Sequence, residues 1–168
     1  MPLSVELDAR AVRLSLVYAT LQYELSLRNT GSQDTPPVQV RADLASAHAA
    51  LSTQEQLAPA PSQLELRHQI PALAPGETTK VTGEVRLALQ DVRTVVKGAA
   101  RFFVPLVRLC LLTPTGSGIR RVFTVGPSGD GTLSPIRLDA GPRNLRELGA
   151  REIEGARVFT LDPVEAQG

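Results

Sequence analysis

Seven basic side chains fall between Lys97 and Arg143 (Lys97, Arg101, Arg108, Arg120, Arg121, Arg137 and Arg143), and only Asp130 and Asp139 oppose them there. A guanidinium is a planar fork that matches two oxygens of a phosphate or carboxylate. Arg120, Arg121, Arg137 and Arg143 are therefore the candidate contacts for an anionic partner: an acidic polysaccharide, a phosphate-bearing surface or a nucleic acid. The rest of the chain tempers this. Residues 1 to 94 carry eight basic and ten acidic side chains, and residues 95 to 168 carry ten and seven. A solvated basic face balanced by acids of the first half is the simpler account. Base-stacking platforms are also scarce, since aromatic residues make up 4% of the chain and Phe102, Phe103 and Phe123 fall on core positions of their strands.

Other chemistries find less to work with. Nucleophilic hydrolysis needs a nucleophile, a base and an orienting group, but no G-x-S-x-G is present. His68 sits on the apolar parity of its strand, as a hydrogen-bonded core histidine would. His48 sits in an Ala-rich strand end or loop, where a capping role fits. Cys110 lies in an apolar run, where burial raises the thiol pKa and makes it inert. One cysteine excludes an internal disulfide and a Cys-based zinc site. Asp130, Asp139, Glu147, Glu152 and Glu154 have no spacing that would fix a glycosidase pair. Ser128-Gly129-Asp130-Gly131 offers one carboxylate, too few for calcium, and the glycines from Gly126 to Gly131 precede no Lys-Ser/Thr of a phosphate loop. Arg108 is flanked by apolar neighbours and needs a carboxylate from its own chain. These residues predict a non-catalytic protein without metal or cofactor.

The positioning elements follow from period-two alternation. Leu21, Tyr23, Leu25 and Leu27 face one way, and Gln22, Glu24, Ser26 and Arg28 the other. The same pattern recurs at Val38 to Leu44, at Leu64 to Ile70, and at Val81 to Leu89, with Gly83 in an inward slot. A first strand runs through Val5, Leu7, Val12, Leu14 and Leu16, with a break near Ala9 to Ala11 where the inward parity changes. Residues 46 to 62 predict a crossover with one helical turn, because Ser52 or Thr53 followed by Glu55 and Gln56 resembles a capping box. Residues 102 to 112 are apolar on both faces, so the strand should be covered twice. Pro105 places it at an edge or a bulge. Ile119 to Val125 forms a hairpin's second arm, 126 to 132 a loop, Leu133 to Asp139 a short strand, and 144 to 154 a short C-terminal helix broken at Gly149.

Turn chemistry marks the strand ends. Asn29-Thr30-Gly31 closes the clearest strand with two residues suited to left-handed backbone, and Pro36-Pro37 delays the next ladder. Pro75-Gly76 sets a tight turn before Val81. With 13 Gly and 13 Pro in 168 residues, the pattern is all-β: an antiparallel two-sheet immunoglobulin-like sandwich over residues 1–140 as a single domain. Residues 141–168 form an extension, packed on it or partly flexible. No run approaches the roughly 18 apolar residues of a membrane helix, and charges fill the place of a signal peptide's apolar core, so no membrane insertion is expected.

The frame YELSLRNTG (23–31) and LAPGETTKVTGEVRL (73–87) resembles bacterial immunoglobulin-like modules of the CARDB or fibronectin type III kind, over about residues 3–112. The resemblance rests on the N-x-G turn after a second strand and the L-x-P-G-E turn before a later one. It implies a non-enzymatic module of exported or envelope-anchored proteins, with Asn29, Gly31, Pro75 and Gly76 as structural turn residues. The expected function is interaction with a protein or cell-envelope partner through loops and sheet edges.

Overall fold

The structure is a computed structural model and describes residues 1–161. Strands β1 (Leu3–Leu14) and β2 (Tyr18–Asn29) form a long hairpin, whose register shifts between Ala9 and Ala11, where the inward parity changes in the sequence. Strand β3 (Val38–Ser46) leads into residues 47–64, which carry helix α1 (Thr53–Leu57); β3 pairs antiparallel with the strand that follows, so this segment is a long connection within one sheet and not the expected crossover. Ser52 caps it: Glu55 N donates to Ser52 Oγ at 3.1 Å, and Ser52 N donates to Glu55 Oε1 at 3.4 Å. Then follow β4 (Glu65–Ile70), β5 (Thr78–Ala88), β6 (Val95–Lys97), β7 (Ala100–Phe103), β8 (Pro105–Leu112) and β9 (Gly118–Gly129). The last strands are β10 (Thr132–Leu133), β11 (Ile136–Arg137), β12 (Arg143–Leu145) and β13 (Leu148–Glu152), before a 3-10 turn over Glu154–Val158.

The chain is an all-β antiparallel sandwich. One sheet has the order β12-β1-β2-β5; the other has β10-β9-β8-β3-β4, with β13 also on β9; a small sheet, β11-β7-β6, lies beside them. Leu21, Tyr23, Leu25 and Leu27 of the first sheet share one core with Val40, Ala42, Val107, Leu109 and Leu111 of the second. Leu and Val dominate, so stabilisation comes from many burials of about 1.5–3 kcal/mol each.

The run 102 to 112 is not one strand: Phe102 and Phe103 belong to β7 in the small sheet, and β8 begins at Pro105. Strand β8 is covered on both faces, as the composition predicts. Its second face carries Leu106 and Cys110, roofed by Leu57 and Leu64 of the β3–β4 connection and by Ala156 and Leu161 of the C-terminal segment. Pro105 does not mark an edge, because β8 is a central strand between β3 and β9. It stands first in the strand, opposite Ser46, where a missing donor costs no interior ladder bond.

Three further expectations are corrected. Residues 144 to 154 form β12, which pairs with β1, and β13, which pairs with β9, rather than a helix. Leu145, Leu148 and Ala150 pack on the main core in strand alternation, and a Cβ on Gly149 would stand 2.6 Å from Leu133 Cδ2. The segment 126 to 132 is not a loop throughout: β9 runs to Gly129 and turns on Asp130 (φ 54) and Gly131 (φ 77). Asp-Gly suits the left-handed backbone of such a two-residue hairpin turn. Leu16 is not inward but 84% exposed at the β1–β2 tip. Of the C-terminal extension, residues 162–168 lie outside the described residues.

Candidate functional site

Segments 30–37, 71–77 and 113–117 join β2 to β3, β4 to β5 and β8 to β9, and they meet at one end of the sandwich. Asn29 ties the first two together. Its side chain is fully buried; Nδ2 donates to Gln33 O at 2.7 Å and to Leu73 O at 2.9 Å, while Oδ1 accepts from Gly31 N at 2.9 Å. Its backbone donates to Glu77 O and accepts from Gly76 N. Thr35 adds a second clasp, since Leu73 N donates to Thr35 Oγ1 and Thr35 N donates to Leu73 O, both at 2.9 Å. Pro75-Gly76 makes the expected turn, with Gly76 at φ 80 and Glu77 N donating to Ala74 O. Gly31 serves differently from the sequence expectation. It is not among the positive-φ glycines; a Cβ there would stand 2.5 Å from Pro2 Cγ, so close approach requires it.

Two clefts open on this end. The larger, about 610 Å³, is lined by Pro37, Gln39, Gln69, Pro71, Thr113 and Pro114 with neighbouring apolar residues. The second, about 430 Å³, holds Gly31, Asp34, Thr35 and Ser117 and shares Thr113. Thr113 Oγ1 lies 2.9 Å from both Ser117 O and Ser117 Oγ, which holds the β8–β9 loop closed. Among the described lining residues Asp34 alone carries an ionisable side chain. Such walls offer amides and hydroxyls that both donate and accept, beside proline rings whose φ is fixed.

The four candidate arginines do not converge. Arg120 and Arg121 are neighbours on β9 and project to opposite faces. Arg120 is buried and donates to Pro59 O and to Phe159 O (3.2 Å), with Cys110 Sγ at 3.5 Å. Arg121 lies 3.9 Å from Glu152, whose carboxylate Arg157 grips at 2.6 Å through both nitrogens. Arg137 donates to both oxygens of Asp139, which brings that carboxyl down to about 2, the Arg137 hydrogen bond being the largest cause. Arg143 donates to Arg137 O and Gly141 O.

The remaining chemical candidates are likewise engaged. Arg108 has the predicted carboxylate: Nε and Nη2 donate to Asp43 at 2.9 and 2.6 Å, and Nη1 reaches the carbonyls of Glu55 and Gln56. Cys110 is fully buried, and burial pushes its thiol up to about 11 against the opposing pull of Arg120. His68 Nε2 lies 2.7 Å from Tyr23 Oη, bridging the two sheets. Burial, then Arg67, lowers the His68 pKa, and burial raises that of Tyr23. Gly83 completes the fit, since a Cβ there would stand 2.6 Å from Tyr23 Oη. His48 Nδ1 accepts from Ala50 N, a local cap. Among the described residues no group of three His, Cys, Asp or Glu is placed to hold a metal, and no helix is long and apolar enough to cross a membrane.

No family profile and no curated protein matches the chain. Among solved structures, a beta-glucosidase from Kluyveromyces marxianus in complex with glucose is similar at 18% identity over 87% of this chain, with a TM-score of 0.30. Its selenomethionine-labelled form gives 17%, 89% and 0.29. This chain spans 15% of the length of each.

Proposed function

We propose that this chain is a non-catalytic interaction module that binds a protein partner at the loop end formed by 30–37, 71–77 and 113–117. The 610 Å³ cleft carries the reading. Its size falls within the usual range for binding sites, and its lining suits an uncharged, extended peptide: Gln39 and Gln69 can pair with peptide N–H and C=O groups while the prolines meet apolar side chains. Preorganisation supports it as well. Pro37, Pro71 and Pro114 stiffen the walls, and Asn29 and Thr35 clasp two of the three loops, so little loop ordering is left to oppose binding.

The strand path β1-β2-β5 opposite β4-β3-β8-β9 supports kinship with the CARDB and fibronectin type III kind of module. In immunoglobulin variable domains the loops at one end of the sandwich carry recognition. An exported or envelope setting is what that kinship implies. An acidic polymer is the competing partner. The engagement of Arg120, Arg121, Arg137 and Arg143 within the chain favours the loop end instead.

The test is selection from a random-peptide display library, with dextran sulfate as the anionic probe. Peptides whose binding is lost in Gln69→Ala and Thr113→Ala variants, and persists at high salt, support the proposal. Dextran sulfate binding that collapses with salt, with no peptide sensitive to the loop-end variants, overturns it.

A further inference from the structure

Strand β5 is the outer strand of its sheet and, among the described residues, pairs on one side only. Its register with β2 runs unbroken from Tyr18↔Ala88 to Arg28↔Thr78. Asn29 N donates to Glu77 O and Leu89 N to Val17 O, so the odd-numbered residues make the ladder with β2. The N–H and C=O groups of Thr78, Lys80, Thr82, Glu84, Arg86 and Ala88 therefore point away from the sheet. Arg67 Nη1 reaches one of them, Glu84 O, at a long 3.4 Å. The strand has neither a proline nor a bulge to blunt the edge.

The side chains on the outer face read Thr78, Lys80, Thr82, Glu84, Arg86, and all are exposed. Turned about a two-fold axis at Thr82, this row is complementary to itself. Thr82 meets Thr82, Lys80 meets Glu84 in both directions, and Thr78 meets Arg86. Even residues then face even residues, the arrangement in which each outward N–H meets an outward C=O. An axis at Lys80 or at Glu84 would instead set like charges opposite each other. Edge charges ordinarily discourage pairing; in this order they suit an antiparallel copy, and of the axes that set no like charges opposite each other, the one at Thr82 overlaps the most of Thr78–Ala88.

We infer that the free edge of β5 pairs antiparallel with β5 of a second copy of this chain, with the two-fold axis at Thr82, joining two four-stranded sheets into one of eight strands. The inference does not depend on the loop-end reading, because it uses the side of the strand and not the loops. One strand pair is a small interface, so the dimer is reversible and concentration-dependent.

Sedimentation velocity from micromolar to near-millimolar protein tests this. The wild type should pass from monomer to dimer. Lys80→Glu and Glu84→Lys each place two like-charge pairs across the axis and should each weaken self-association roughly tenfold. Mixed together, the two variants should associate with each other, and the double variant K80E/E84K should recover the wild-type constant. Thr82→Pro removes only an outward N–H, so it should abolish the dimer while the chain stays folded. A wild type that is monomeric throughout, single variants that self-associate like the wild type, or a mixture that stays monomeric would overturn the inference. Peptide binding at the loop end should be unchanged in all of these variants.

Discussion

Replacing Asn29 should loosen the whole loop end at once. The carboxamide makes three hydrogen bonds from a fully buried position, to Gln33 O, Leu73 O and Gly31 N. In Asn29→Ala all three are lost, and the buried Leu73 carbonyl loses the side-chain donor. At about 1 kcal/mol per bond plus the desolvation of groups left unpaired, the cost is roughly 2–4 kcal/mol. With a urea m-value of about 2 kcal/mol/M, the unfolding midpoint should fall by roughly 1–2 M. Asn29→Asp sharpens the test. Its carboxylate can still accept from Gly31 N but sets an oxygen against two carbonyl oxygens, so at neutral pH it should cost at least as much as alanine. That geometry raises the folded-state pKa of the introduced carboxyl above its unfolded value. The variant's deficit should therefore be smallest below the unfolded pKa and grow as pH rises through the folded one. Urea titrations at acidic and neutral pH decide it. An Asn29→Ala cost below about 0.5 kcal/mol, the level of an ordinary surface change, or an Asp variant more stable than the Ala variant at neutral pH, would refute the reasoning.

Three other outcomes follow from particular contacts. The Arg108–Asp43 pair is mostly buried, with side chains 16% and 27% exposed, so Arg108→Met should cost about 1–3 kcal/mol; a double-mutant cycle with Asp43→Asn should show a coupling near 1–2 kcal/mol, and additivity would exclude the pairing. His68 has a folded-state pKa below its unfolded value, so stability should fall as pH drops below about 6.5 and level off under the folded pKa; in His68→Gln, titrated by calorimetry, that slope should flatten. Cys110, buried with its thiol near 11, should react with a disulfide reagent at mildly alkaline pH only as fast as the chain unfolds, and stoichiometric labelling of the native protein would contradict its burial.

How much of this was legible in the sequence depended on sequence distance. Alternation over Leu21 to Leu27, the parity change at Ala9 to Ala11, the capping box at Ser52 and the need of Arg108 for a carboxylate are each signalled by neighbouring residues or by the polarity of one position. Strands β12 and β13 were not legible, since three and five residues hold too few alternations to separate them from a helix. The Asp130-Gly131 turn was hidden among nearby glycines, although Asp-Gly is itself a hairpin signal. Pro105 points to an edge only if it lies inside a strand, and its place at the start of one is not written in its neighbours. The loop end was only half visible. The turns at Asn29 and Pro75-Gly76 could be read, but the bond from Asn29 to Leu73, 44 residues away, exists only once the sheets are packed. Arg120 looked available because carbonyl partners such as Pro59 O and Phe159 O carry no mark in a sequence.

The most direct test of the loop end as the binding surface is a hydrogen-exchange footprint of the full chain with a display-selected peptide bound. Protection confined to 30–37, 71–77 and 113–117, and retained at high salt, is the result this account predicts. Protection centred on Arg120, Arg121, Arg137 and Arg143, or lost as salt is raised, would contradict it.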